Sequence, residues 1–416
     1  MPGTERKSFF HGAIQEGSLF TLHKKLLIAK FGGTSLSDVQ KRETAVSHCA
    51  SLLEESEKLV VVVSAMGRSG DPYATDTLLN LVSEDSSVYE KDRLMVCGEV
   101  ISALVLASAL RKSGISAEAL TGWEAGIATD GETGNARIVS IDTARILDVL
   151  SSHRVVVISG FQGLSPDGYV NTLGRGGTDT SAVVLGIALD ADEVLLYKTV
   201  DSVYTADPVK VPSARELSVI SSEDLRQMAW QGAKVVHPRA AEAAQASDIV
   251  LKVKSFRSGK VVTEVVKQPL ENTNYIVGVA SGQVVTGFTV TGSGKPSAFF
   301  AGMFRRIADS GISMDMFSVF KCTAAFTVPL DSTEAVKEIL DSMALHYSTL
   351  GPCTKVSIVG AGMHGLRGVM ARFCEALDRV DIDALQTVDS HATISALVLV
   401  EQRDTALQEL HREFIE

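Results

Sequence analysis

Positive charge, cysteine and long apolar runs are all in short supply in this 416-residue chain. Its 39 Lys and Arg are outnumbered by 50 Asp and Glu, for a net charge of -11. That argues against a nucleic-acid binder, which needs a basic face. An anionic small substrate is still allowed, because a pocket can be locally positive on an acidic protein. The five cysteines (Cys49, Cys97, Cys322, Cys353, Cys374) are scattered and show no C-x-x-C spacing. Reduced cytoplasmic thiols are expected, rather than a disulfide scaffold or a zinc site. No run of about 18 uninterrupted apolar residues is present, so no membrane span is expected. The first 25 residues lack an apolar segment followed by a small-residue cleavage site; they read as a polar extension, not a secretion signal. The G-x-x-x-x-G-K-[ST] phosphate loop is also missing.

What remains is ordinary globular composition, 45% hydrophobic and 21% charged, on a length that suits two to four domains at roughly 100–200 residues each. Short, continuously apolar runs at 26–29, 59–63, 155–159 and 193–197 read as strands covered on both faces. Helical patterns at 36–55, 92–113 and 179–189 lie between them. The alternation predicts an α/β domain with a mostly parallel sheet and right-handed crossovers. After about residue 255 the texture changes. Two units of about 65 residues follow the same plan. The first has a strand at 284–290, a helix at 297–312, a strand region at 318–330 and a helix at 332–343. The second repeats this at 355–363, 368–382, 393–400 and 404–414.

Four segments carry candidate chemistry. KFGGTS (30–35) follows the first strand: Gly32 and Gly33 allow close backbone approach, Thr34 and Ser35 can cap a helix, and Lys30 suits a phosphate. An ordinary strand-to-helix turn with a solvent-facing Lys reads equally. TLGRGGTDTSA (172–182) sets three glycines and the planar fork of Arg175 at a second helix start, with Thr178 and Asp179 as cap types. SAMGRSGDPYATDTLL (64–79) and VCGEVISA (96–103) offer Ser64, Thr75 and Glu99, whose carboxylate suits the ammonium of an amino acid; a surface Glu is the plainer reading. VYTADP (203–208) and GAKVVHPRA (232–240) bring Tyr204 and Lys234, while His237 reads as structural.

Taken in order and spacing, KFGGTS, SAMG, GEVIS, GFQG, TLGRGGTDTSA, VYTADP and GAKVVHPRA resemble the aspartate kinases of the amino-acid kinase family along essentially the whole chain. The resemblance implies a three-layer αβα sandwich over residues 25–268, followed by two ferredoxin-like ACT domains at 275–345 and 350–416. It implies phosphoryl transfer from ATP, with Mg²⁺, to the side chain of L-aspartate, and no metal held by the protein alone. Lys30, Asp179 and Lys234 would be catalytic. Lys30, Phe31, Gly32, Gly33, Thr199, Tyr204, Thr205, Asp207, Val209, Lys234 and Val235 would line the nucleotide. Ser64, Thr75, Glu99, Arg175, Thr178 and Asp179 would hold aspartate, with Asp179 orienting Lys30 or a metal-bound water rather than abstracting a proton. It further implies a homodimer or larger assembly, with an amino-acid effector near 291–297 and 360–368.

The chain departs from that pattern where Thr-Asp is usual: Lys198 and Thr199 stand there, Ser202 replaces a glycine, Val209 an arginine and Arg367 a proline. A catalytically weakened amino-acid sensor is therefore the alternative. VGAGMHG (359–365) matches G-x-G-x-x-G, but only 51 residues follow Gly365, too few for a dinucleotide-binding domain. A tight strand-to-helix turn is expected there instead.

Overall fold

The protein is seen in a computed structural model that describes residues 25–174, 176–199, 202–233, 235–267, 275–292, 296–363 and 366–416. The first part runs β1 (Leu26–Phe31), α1 (Val39–Glu55), β2 (Lys58–Val63), α2 (Thr75–Leu79), α3 (Val88–Lys112) and β3 (Ala117–Leu120). It continues through β4 (Ile127–Thr129), β5 (Ile138–Ile141), α4 (Ala144–Ser152), β6 (Val155–Ser159), β7 (Gln162–Leu164), β8 (Val170–Thr172) and α5 (Gly177–Ala188). It ends with β9 (Glu193–Lys198), β10 (Val219–Ser221), α6 (Ser222–Trp230), α7 (Pro238–Gln245), β11 (Val250–Ser255) and β12 (Val261–Val266).

Eight strands form one sheet in the order β10-β12-β11-β9-β1-β2-β6-β3, and only the β11–β12 pair is antiparallel. Successive side chains on a strand point to opposite faces, and the sheet is covered on both. Leu27, Ala29 and Phe31 of β1 face α1 and α3, as do Leu195 and Tyr197 of β9. Ile28 of β1, and Val194 and Leu196 of β9, face α4, α5, α6 and α7. The three-layer sandwich is as expected. The helix expected at 36–55 begins at Val39, where the Asp38 side chain accepts the Lys41 N–H. The one expected at 92–113 starts earlier, at a capping box made by Ser87 and Glu90.

By length and composition α3 could cross a bilayer. It packs instead against β3, β6 and β8 and carries two buried carboxylates, Asp92 and Glu99. Asp92 accepts the N–H groups of Gly134 at 2.9 Å and Thr172 at 3.0 Å, and the Thr172 hydroxyl at 2.8 Å. It thereby ties a second, four-stranded sheet (β5-β4-β7-β8) to the helix. That sheet was not expected from the sequence.

The second part runs β13 (Gly278–Thr291), α8 (Pro296–Asp309), β14 (Asp315–Phe320), β15 (Thr323–Pro329) and α9 (Thr333–Ser342). Then come β16 (His346–Val359), α10 (Val369–Asp378), β17 (Gln386–Asp389), β18 (Thr393–Leu399) and α11 (Arg403–Phe414). Each unit is thus β-α-β-β-α, and the expected strand region at 318–330 is a hairpin. Both units share one six-stranded sheet, β14-β15-β13-β16-β18-β17. Its two long central strands pair with each other along nearly their whole length, residues 278–281 of β13 with 356–359 of β16 and residues 284–291 with 346–354, while residues 285–291 of β13 also bond to β15 on their other side. Ile276, just before β13, and Val279, near its start, consequently pack in the core of the second unit with Val356, Phe373 and Leu410.

Candidate active site

In parallel α/β sheets, ligands bind beyond the carboxyl ends of the strands. Strand alternation selects what reaches that edge. Lys30 follows Ile28 on the α5 face of β1, and Lys198 follows Leu196 on the α5 face of β9. The two strands are neighbours, with Lys30 opposite Leu196. Two ammonium groups therefore converge beneath the first turn of α5, where Asp179 sits.

Asp179 Oδ1 lies 2.8 Å from Lys30 Nζ, and Oδ2 accepts a hydrogen bond from Lys198 Nζ at 2.7 Å. The His237 backbone N–H also approaches Oδ2 at 3.3 Å. All three side chains are largely buried, at 8%, 15% and 6% exposure for Lys30, Lys198 and Asp179. Burial would raise the Asp179 pKa, but Lys198 and Lys30 outweigh it and hold the carboxylate far below its ordinary range. Burial lowers the Lys198 pKa, while Asp179 opposes the shift.

Glycine permits two close approaches at this edge. A Cβ on Gly33 would collide with the Ala65 carbonyl and stand 2.8 Å from that of Gly67, so the 30–35 loop seats directly on the 64–67 loop. Gly176 adopts a left-handed conformation, φ 76°, and any side chain there would strike the His237 ring. His237 is thus a packing element under the glycine loop, as expected, and α7 begins at Pro238 behind it.

The substrate side is reached through a short chain of contacts. The Ser64 hydroxyl donates to Thr178 Oγ1 at 3.0 Å, one residue before Asp179. The next residue, Ala65, donates its N–H to Glu99 Oε1 at 3.1 Å, while Glu99 Oε2 has no hydrogen-bond partner. Burial pushes the Glu99 carboxyl up to about 8. Glu99 is therefore not the surface residue its helix position also allowed. Gly98 lies against the Tyr73 backbone, which brings the half-buried Thr75 at the start of α2 alongside.

Other expected residues have mixed placements. The Phe31 side chain is fully buried, 4.7 Å from the Tyr197 ring, and only its carbonyl faces the edge, accepting the Ser64 N–H. Thr199 is exposed, with its hydroxyl 3.4 Å from that of Thr34. Tyr204 donates to Glu216, Asp207 caps the Val209 N–H, and Val209 is almost fully exposed. Thr205 is buried and turned toward α11, and Val235 packs at the edge of the core. Gly32 is half-buried, with a Cβ position 3.6 Å from Lys30 Nζ. Arg175 and Lys234 lie outside the described residues, as do Gly365 and residues 293–295 of the expected effector region. Gly360 of VGAGMHG abuts the Tyr275 carbonyl, and the Ala361 N–H donates to Asp224 at 2.7 Å. The turn is a docking contact with α6, not a dinucleotide site.

Lys198 was read from the sequence only as a departure from pattern; its place in the cluster follows from strand alternation. Among the described residues no group of three His, Cys, Asp or Glu is placed to hold a metal, and both Asp179 oxygens face ammonium groups. The donors present do not fit a metal held by the protein alone.

Comparison with known proteins agrees with this fold. Residues 25–255 match the amino acid kinase family and residues 356–414 the ACT domain. Aspartokinase 1 of Bacillus subtilis is 39% identical over 399 residues, covering 94% of this chain and 99% of that protein. The aspartokinase of Geobacillus stearothermophilus is 36% identical, covering 94% and 97%. Among solved structures, Escherichia coli aspartokinase III in complex with aspartate and ADP superposes with a TM-score of 0.78 at 22% identity, covering 94% of this chain and all of that one. The same enzyme with lysine and aspartate gives 0.70 at 23% identity. The chain belongs to the amino acid kinase family and, within it, to the aspartokinases.

Proposed function

We propose that the chain transfers the γ-phosphoryl group of ATP to the side-chain carboxylate of L-aspartate, giving 4-phospho-L-aspartate and ADP. The observation that carries this reading is the buried Lys30–Asp179–Lys198 cluster at the carboxyl edge of the sheet. An aspartate side chain has a pKa near 3.9, so it is ionised at neutral pH and needs no general base. A carboxylate oxygen bonds to the γ-phosphorus as the bond to the β–γ bridging oxygen breaks, and that electron pair leaves with ADP. The obstacle is charge. At 4 Å and an effective dielectric of 20, each like-charge pair costs about 4 kcal/mol. Lys30 and the N–H groups of the Gly32–Gly33 loop are positioned to offset it, and Lys234 is assigned the same role by resemblance.

Glu99, with one oxygen free, suits the substrate ammonium, and Arg175 the α-carboxylate. Ser64, Thr75 and Thr178 supply neutral hydrogen bonds. Magnesium is assigned to the phosphates of incoming ATP, as part of the substrate.

The ACT units are assigned an amino-acid effector, by analogy with the lysine complex of the Escherichia coli enzyme. Pairing with a second copy of the chain is supported by β14, an edge strand that exposes Phe317, Val319 and Phe320. A cytoplasmic setting is supported by cysteines that are all unpaired.

The test combines ATP, aspartate and hydroxylamine, which traps an acyl phosphate as hydroxamate. Hydroxamate and ADP should form in equal amounts with aspartate and not with glutamate or carbamate. Binding of amino acids without hydroxamate at millimolar substrates would instead identify a sensor. Inhibition by lysine, threonine and diaminopimelate, each alone and combined, identifies the effector.

A further inference from the structure

We infer that Lys198 contacts the β- and γ-phosphates of the bound nucleotide, so that this chain grips the polyphosphate with a lysine from β9 in addition to Lys30 from β1. The inference rests on the nucleotide site proposed above and adds a residue to it.

The first argument is charge balance. Asp179 carries one negative charge and faces two ammonium groups. Among the described residues neither Lys30 nor Lys198 has another carboxylate within ion-pair distance. The remaining neighbour of Asp179, the His237 N–H, is also a donor. The cluster therefore holds an excess positive charge in a place where both lysine side chains are largely withdrawn from water. A buried, uncompensated charge is costly, and an arriving anion removes the cost. If neutralising Asp179 were all that mattered, Lys30 alone would suffice.

The second argument is place. Lys198 is the last residue of β9, at the carboxyl edge of the parallel sheet and on the same face as Lys30. The residue after it, Thr199, is within 3.4 Å of Thr34 in the glycine loop, so the two strand ends meet around one opening. Asp179 holds both ammonium groups at that opening before any ligand arrives. Its carboxylate is acceptor-only and ion-paired on both oxygens, so it positions the lysines and leaves their remaining N–H donors for phosphate oxygens.

The experiment measures nucleotide binding by titration calorimetry on the full chain in EDTA, so that no divalent cation masks the protein's own charge. ADP and AMP are compared for wild type, Lys198→Met, Lys198→Thr and Lys198→Arg. Loss of a charge-assisted contact should weaken ADP binding on the order of tenfold or more in the Met and Thr variants. AMP, which lacks the β-phosphate, should change less than about twofold, and the Arg variant should retain ADP affinity within about threefold. Thermal melts of the Met and Thr variants should equal or exceed wild type, because the uncompensated charge is gone and the Lys30–Asp179 pair remains neutral. Equal weakening of ADP and AMP, or no weakening of either, overturns the inference while leaving the kinase reading intact. A wild-type chain that binds no adenine nucleotide, with or without magnesium, overturns the kinase reading itself.

Discussion

Glu99 is the residue at which environment most changes chemistry. A helix-borne carboxyl with an ordinary value of 4.5 is pushed up to about 8 by burial, and one of its oxygens is left without a partner. The native state therefore keeps a proton that the unfolded chain has released, so stability falls as pH rises between about pH 5 and about pH 8. Glu99→Gln removes this penalty. Its melting temperature relative to wild type should climb steadily across that window in differential scanning calorimetry. A constant offset would mean that Glu99 is ionised in the free protein. The same carboxyl must ionise to receive an ammonium group. Aspartate binding near pH 7 should thus release a proton, read as a dependence of calorimetric enthalpy on buffer ionisation enthalpy. In Glu99→Gln that release should vanish, with KM for aspartate raised at least about tenfold, the worth of one charged hydrogen bond, and KM for ATP unchanged. Lys30→Met tests the other end of the cleft. Removing one preorganised charge from the transferring group should lower kcat about 10²–10³-fold, with little change in KM for aspartate. At this scale the sequence speaks only where a motif isolates a residue. Lys30 and Glu99 stand out because a Lys after a buried strand and a Glu after a glycine are unusual, whereas Asp179 reads as an ordinary helix cap and is singled out only by the family resemblance. That Asp179 would be shared with Lys198 could not be read, because it depends on β1 and β9 being neighbours 165 residues apart, as Thr34 and Thr199 are.

At the scale of elements, legibility followed burial. β1, β2, β6 and β9 are central strands covered on both faces, so each is a continuous apolar run with no other reading. The strands β4, β5, β7 and β8 span three or four residues each and carry no period long enough to detect. The same holds for β17, a four-residue edge strand that is mostly exposed. The pairing of β13 with β16, which joins the two units in one sheet, was equally hidden, since a 14-residue strand looks the same whether one partner or two flank it. The element that matters most for chemistry is the loop after β1, and its tolerance is set by backbone rather than side chains. A Cβ on Gly33 meets the carbonyl oxygens of Ala65 and Gly67, neither of which can rotate away. Gly33→Ala should therefore cost about 1–3 kcal/mol of stability, the range for forcing a methyl group into a filled space. Because the displaced 64–67 loop also carries Ser64 and the N–H that Glu99 accepts, KM for aspartate should rise along with KM for ATP. A variant with a normal melting temperature and normal KM values would show that the loop relaxes freely, and that the seating of 30–35 on 64–67 is not what aligns the two substrates.

At the scale of the whole molecule, the 204–211 segment and the second ACT unit are one packed body. Thr205 sits in the stretch assigned to ATP, yet its carbonyl accepts the Val279 N–H of β13 at 2.7 Å. Its hydroxyl accepts the Arg215 N–H at 2.9 Å and lies 2.8 Å from His411 Nε2 on α11. Ala206 and Val211 belong to the same hydrophobic core as Val356, Phe373 and Leu410. Arg215 reaches the Ile415 carbonyl at the chain's end, and Lys210 reaches Ser281 at 3.0 Å. His411 is fully buried, and burial lowers its pKa while Glu416, 3.3 Å from Nδ1, opposes the shift; its Nε2 pairs with the Thr205 hydroxyl. A shift of α11 on effector binding must therefore either carry residues 204–211 with it or break these bonds. Coupling of this kind requires that both sites bias the same element. His411→Ala and Thr205→Val each leave a buried polar partner unsatisfied and should each cost about 1–3 kcal/mol. The double variant should cost less than the sum, with an interaction energy of about 0.5–3 kcal/mol in a denaturation cycle. The functional consequence is more specific than the loss of stability. Both single variants should raise KM for ATP and blunt inhibition by whichever amino acid inhibits the wild type, while KM for aspartate, whose assigned residues have no bond to α11 among the described residues, stays near its original value. If the inhibition curve of either variant overlays that of wild type, the signal from the ACT pair does not travel through α11.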